Sequence, residues 1–195
     1  DPLFPDIPIV FAGLEQDDLA GLTLVPGVTG VLMQRTFAPT VDLALQLHPG
    51  TERFVFVSGT SDFDVRLARR ARSEFEPYAD RYEFRYLDGL SVDEMVRVVS
   101  NLPPRTVLLI SSVFGDAAGT EFVPHEVVER LTAVANRPAY GFVDHYLGRG
   151  VVGGRMYSLE LHGERAAQLV LRILAGEDPA AIPPAIADIS QTLID

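Results

Sequence analysis

Two rhythms of apolar and polar positions alternate along this chain. Short, nearly unbroken apolar runs occur at Ile7 to Ala12, Val28 to Met33, Phe54 to Val57, Tyr82 to Leu87, Thr106 to Ile110 and Ala139 to Val143. Runs this short and this apolar predict strands buried on both faces, as in a parallel sheet. Between them apolar residues recur at helical spacing, over Thr40 to Leu47, Phe63 to Phe75, from Ser91 to about Asn101, around Pro124 to Ala135, and Ser158 to Ala175. Each helix carries its own punctuation. Ser91-Val92-Asp93-Glu94 spells a capping box, Ser158 suits an N-cap, and Gly176 with Pro179 supplies a stop.

Strands and helices alternate four times between Arg53 and Val143. Parallel neighbours need crossover connections, so the alternation predicts an α/β fold, a parallel doubly wound sheet with helices on both faces. Its strands are expected at 54 to 57, 82 to 87, 106 to 110 and 139 to 143. The run Gly148 to Gly154 has four glycines in seven residues, which predicts a crossover with hinge-like freedom. No internal repeat or low-complexity tract marks a further domain.

Polar residues gather where the strands end, which is where open α/β sheets bind ligands. Gln34-Arg35-Thr36 follows the second run, Ser58-Gly59-Thr60-Ser61-Asp62 the third, Ser111-Ser112 the fifth and Asp144-His145-Tyr146 the sixth. Small hydroxyl residues from Ser58 to Asp62, at a helix start, make a corner suited to a small ligand. Asp144 and His145 read equally as ligand groups or as a hydrogen-bonded loop anchor.

Charge narrows the partners. A net charge of -11 argues against nucleic-acid or anionic-membrane surfaces, both of which select for clustered cations. All 16 basic side chains are arginine, which reads as a compositional bias. With no cysteine there is no disulfide or thiolate chemistry. No run approaches the roughly 20 apolar residues of a membrane span, so the chain is expected to be soluble and attached to a membrane only through segments outside it.

Other motifs read blandly. Gly148-Arg149-Gly150-Val151-Val152-Gly153 matches a dinucleotide-binding spelling but does not open a helix. Ser111 lacks the setting of a hydrolase elbow. His48, His125 and His162 are isolated, as surface or capping histidines are, and no metal or other cofactor is expected. Arg66, Arg69, Arg70 and Arg72, with Asp62, Asp64, Glu74 and Glu76, suggest a solvated, ion-paired helix face. An enzyme would need an acid, base or nucleophile set converging on one cleft; only scattered polar strand ends are offered.

The segments IPIVFAGLE, PGVTGV and AGEDPAAIP, in that order, resemble the ABC-transporter substrate-binding proteins with the periplasmic-binding-protein type I fold, a domain that some bacterial sensor histidine kinases also carry. The resemblance implies two lobes, 1–36 with 150–195 and 37–149, closing on a small ligand. By position it implies Gly13 and Glu15 on the first lobe, and Ser58, Thr60, Ser61, Ser111, Ser112, Asp144 and His145 on the second. It further implies a periplasmic or otherwise extracytoplasmic sensor domain for an amino acid or small aromatic acid, with an importer component or an enzyme on a flavodoxin-like sheet as alternatives. Family members begin with further βα units, so the first lobe is expected to be partial. Ile9, Phe11 and Val31 should then be exposed, with self-association as a homodimer or cover by a partner. The helix from Ser158 to Ala175 should pack on the same lobe.

Overall fold

The computed structural model describes residues 7–19, 21–187 and 189–195. In chain order the strands and α-helices are β1 (Ile9–Glu15), β2 (Val28–Met33), α1 (Ala38–Leu47), β3 (Arg53–Val57), α2 (Asp62–Phe75), β4 (Glu83–Leu87), α3 (Val92–Val99), β5 (Thr106–Ile110), α4 (Pro124–Thr132), β6 (Ala139–Gly141), β7 (Gly153–Tyr157), α5 (Leu159–Leu174), β8 (Ala185–Ile186) and β9 (Ser190–Ile194). They form two compact units, Asp1–Arg35 with Ser158–Ser190, and Thr36–Tyr157 with Gln191–Asp195. Among the described residues no helix is long and apolar enough to cross a membrane.

The larger unit is built on a six-stranded sheet in the order β4-β3-β5-β6-β7-β9. The pairs β3–β4, β3–β5, β5–β6 and β6–β7 are all parallel, as the βα alternation predicts. Side chains alternate across the pleat. Phe54 and Phe56 turn to one face, where Phe37, Val41 and Ala44 of the α1 region and Leu67, Ala71 and Phe75 of α2 pack on them. Val55 and Val57 turn to the other, against Met95 and Val99 of α3 and Val127 and Leu131 of α4. Both faces are therefore buried, and the apolar runs follow from that.

Three details differ from the sequence expectation. The run 139 to 143 pairs as a strand only over Ala139–Gly141, with Val143 making an isolated parallel bridge to Tyr157. The glycine-rich run is not a hinge-like crossover, because its last two residues open a further strand, β7, whose backbone lies against its neighbours. A Cβ at Gly154 would collide with the Gly141 carbonyl oxygen, and one at Gly153 with that of Leu193. The glycines here permit close packing of strands. The basic face of α2 is not uniformly solvated either: Asp64 is fully buried, and Glu74 Oε2 accepts from Phe37 N at 2.6 Å and Ala38 N at 2.9 Å, holding the start of α1.

The smaller unit has a three-stranded sheet, β1-β2-β8, with parallel pairing throughout. Helix α5 packs on β1 and β2, as expected for the helix from Ser158. Ile9 and Phe11 are half-buried, but Val31, expected to be exposed, is only 7% exposed. β2 is the middle strand, with Val31 paired to Ala185 of β8, and α5 packs over β2.

Candidate ligand site

At the carboxyl end of the six-stranded sheet, two loops are tied together by one buried carboxylate. β3 delivers the chain to Ser58, and the helix that follows is capped by Ser61, whose hydroxyl accepts from Asp64 N at 3.1 Å. Asp64, fully buried, then accepts from Ser61 Oγ at 2.8 Å, from Ser112 Oγ at 2.6 Å and from Phe114 N at 2.9 Å. A buried carboxylate needs such donors to offset its desolvation. Gly59 is what lets the loops approach, since a Cβ there would collide with Asp64 Oδ2 and with the Gly115 carbonyl oxygen. Backbone bonds complete the tie, from Gly59 N to Ser112 O at 2.9 Å and from Thr60 N to Gly115 O at 2.8 Å.

The loop after β5 is fixed at its far end by Asp116. Its carboxylate accepts from Val92 N at 2.9 Å and from Ala118 N and Thr120 N at 3.0 Å. Burial pushes the Asp116 pKa up, but these three donations outweigh it and hold the carboxyl below its ordinary value. Between the loops lies an open hollow of about 450 Å³, lined by Thr60, Ser61, Phe114, Gly115, Asp116, Gly119, Thr120, Glu121 and Phe122.

Of the residues that sequence places at the site, only Thr60 and Ser61 line this hollow. Ser58, Ser111 and Ser112 are buried. Ser58 Oγ donates to Asp64 O at 3.2 Å, and the Ser111 carbonyl accepts from Tyr146 Oη at 3.0 Å. That last bond carries the turn Asp144–Tyr146 to the end of β5, with Asp144 half-buried and His145 exposed. The His145 ring lies edge-on to Tyr146, centroids 4.7 Å apart, and to His125 at 6.2 Å.

In the smaller unit, β1 ends in a separate polar group. Gly13 N donates to His162 Nε2 at 2.9 Å, and buried Glu15 pairs with Arg35 at 3.2 Å. His162 lies in the first turn of α5, beyond the Ser158 cap, and is 5% exposed; it is not a surface histidine. Burial lowers its pKa, with the nearby Glu15 charge opposing. Sequence reasoning names none of Asp64, Phe114, Asp116 and His162 as a ligand residue. Arg35 carries the strand-end signal that marks the other candidates, whereas burial of the two aspartates and of His162 leaves no trace in local spacing.

No protein-family profile matches the chain, and no curated protein sequence matches it. Solved structures do. A ligand-free, open substrate-binding protein with adhesive properties from Clostridium difficile superposes over all of this chain with a TM-score of 0.71 at 16% identity. A conserved domain protein from Vibrio cholerae gives 0.70 over 96% at 18% identity. The fold is that of type I periplasmic-binding proteins. An ABC domain in complex with L-Trp from Streptococcus pneumonia gives 0.66 over the whole chain at 15% identity. This chain spans 63% to 67% of the length of those three.

Proposed function

We propose that this chain is the ligand-binding part of an extracytoplasmic bacterial sensor protein, taking up an amino acid or small aromatic acid, and that it is not itself an enzyme. The observation that carries this reading is the pair of tied loops at the carboxyl end of the six-stranded sheet. Residues 58–62 and 111–122 are fixed by Asp64 and Asp116 and enclose an open hollow. In doubly wound sheets that end is where small ligands sit, and a loop held rigid before binding loses little entropy on binding. Support comes from the company the fold keeps: one similar structure is described as a substrate-binding protein, and another is in complex with L-Trp. The signalling step, lobe closure passed to a kinase or other partner, is what the sequence resemblance implies.

Native mass spectrometry of the purified chain tests the reading, followed by a thermal-shift screen of amino acids and aromatic acids. A co-purified small molecule, or a melting temperature that rises with one class of solute, is expected. A chain that carries nothing and shifts with no solute overturns the proposal.

A further inference from the structure

Phe114 combines exposure with rigidity in an unusual way. Its ring is 44% exposed, yet its peptide is held at both ends. The backbone N–H donates to buried Asp64 at 2.9 Å, and the carbonyl accepts from Phe122 N at 2.9 Å. The ring meets Phe63 edge-on, with centroids 5.6 Å apart. Single exposed apolar side chains are ordinary on a protein surface and call for no explanation. Val65, 43% exposed on the helix α2, is one of these. Phe114 differs because it borders a hollow at the ligand-binding end of the sheet, whose wall is opened by Gly115 and Gly119.

The lining of that hollow carries charge of one sign, although the Arg130 charge also reaches Asp116. Among the described residues its ionisable lining residues are Asp116 and Glu121, and no arginine lines it. Asp116 is buried and turned into three backbone N–H groups, while Glu121 is exposed. A carboxylate placed here would meet like charge in a chain of net charge -11. An ammonium would meet opposite charge beside an aromatic face, which also attracts cations.

We propose that the Phe114 ring is a stacking platform for the planar ring of the ligand, and that the ligand end facing this hollow carries an ammonium group and no carboxylate. This rests on the solute-binding reading above and narrows it. The backbone that carries the ring is tied at both its N–H and its carbonyl, so stacking orders little beyond the side chain itself. Phe63, edge-on, braces the platform in a geometry that aromatic pairs favour.

The chain contains no tryptophan, so the emission of an added indole, excited at the red edge of its absorption where tyrosine does not absorb, is seen without background. The test is the fluorescence anisotropy of tryptamine, L-tryptophan and indole-3-acetate titrated with the full chain, alongside Phe114→Ala, Phe114→Leu and Glu121→Gln variants checked for fold by circular dichroism. Tryptamine and L-tryptophan are expected to bind more tightly than indole-3-acetate. Phe114→Ala should weaken tryptamine about three- to tenfold, the worth of one aromatic pair. Phe114→Leu should weaken it similarly, because it keeps apolar area but loses the ring. Glu121→Gln should narrow the gap between tryptamine and indole-3-acetate. Equal affinities in wild type and both Phe114 variants overturn the stacking platform. So does a thermal shift with L-leucine or another aliphatic solute when no indole binds, although the solute-binding reading then stands. No binding of any solute overturns both.

Discussion

The two units share one βα grammar and differ in how completely they use it. In the six-stranded unit β3 and β5 have neighbours on both edges and helices on both faces, and Phe54, Phe56, Leu108 and Leu109 have no exposed surface. In the three-stranded unit, among the described residues, β1 pairs only with β2, and two of its seven residues, Ala12 and Gly13, are exposed. Its helix α5 buries His162 and Leu169 while Leu171 and Leu174 remain 64% and 77% exposed. Both apolar clusters of the described chain lie wholly in the larger unit. An apolar strand run therefore states what a strand can bury. What it does bury depends on its neighbours.

Substitutions can break this contrast, and the largest effect is expected in the larger core. Phe56 is ringed by Phe37, Phe75, Tyr86 and Phe142 at centroid distances of 5.9, 5.7, 6.0 and 6.3 Å. Phe56→Ala should cost about 3–5 kcal/mol in denaturant unfolding, whereas Ile9→Ala, in half-buried β1, should cost less than about 1.5 kcal/mol. Equal costs would erase the contrast. Next comes Asp64→Ala, which strands Ser61 Oγ, Ser112 Oγ and Phe114 N without their acceptor and should cost about 2–4 kcal/mol. It should also speed amide exchange at Phe114, measured by hydrogen-exchange NMR.

Smaller again is Glu74→Ala, which removes the acceptor for the first amides of α1 and should cost about 1 kcal/mol by the same unfolding assay. The smallest effect belongs to the three-stranded unit and depends on pH. Burial holds the His162 imidazole below its ordinary value of 6.5, and Glu15 opposes. As pH falls through 6.5 the unfolded chain takes up a proton that the folded chain resists. Stability lent by the neutral ring is thus complete above 6.5 and lost as pH drops below it toward the lowered folded value. Protonation would also remove the lone pair that accepts from Gly13 N. A melting curve followed from pH 7.5 downward should show this loss, and His162→Gln should flatten it.

Much of the larger unit is readable from sequence because its signals are local. The capping box of Ser91 with Glu94 forms as spelled, and Ser61 caps α2 at the end of the Ser58 to Asp62 run. The run Thr106 to Ile110 is a strand over its full length. β7 is hidden because Gly153 and Gly154 suggest freedom in a string of letters, and only the neighbouring strands reveal that they are there for close approach. β8 and β9 are too short or too polar to stand out, and they form by adding to sheets already present. Asp64 reads as a surface acid among arginines; its partners Ser112 and Phe114 are about 50 residues away, and no local pattern brings them together. The polar strand ends are legible as a neighbourhood, while the residues that shape it are set by tertiary contacts.

The most direct test of the whole account is hydrogen-exchange mass spectrometry of the full chain with and without saturating tryptamine. The account predicts added protection in peptides covering residues 58–62 and 113–122, at the carboxyl end of the six-stranded sheet, with the α3 and α4 peptides unchanged. Protection elsewhere with none at those two loops would contradict it.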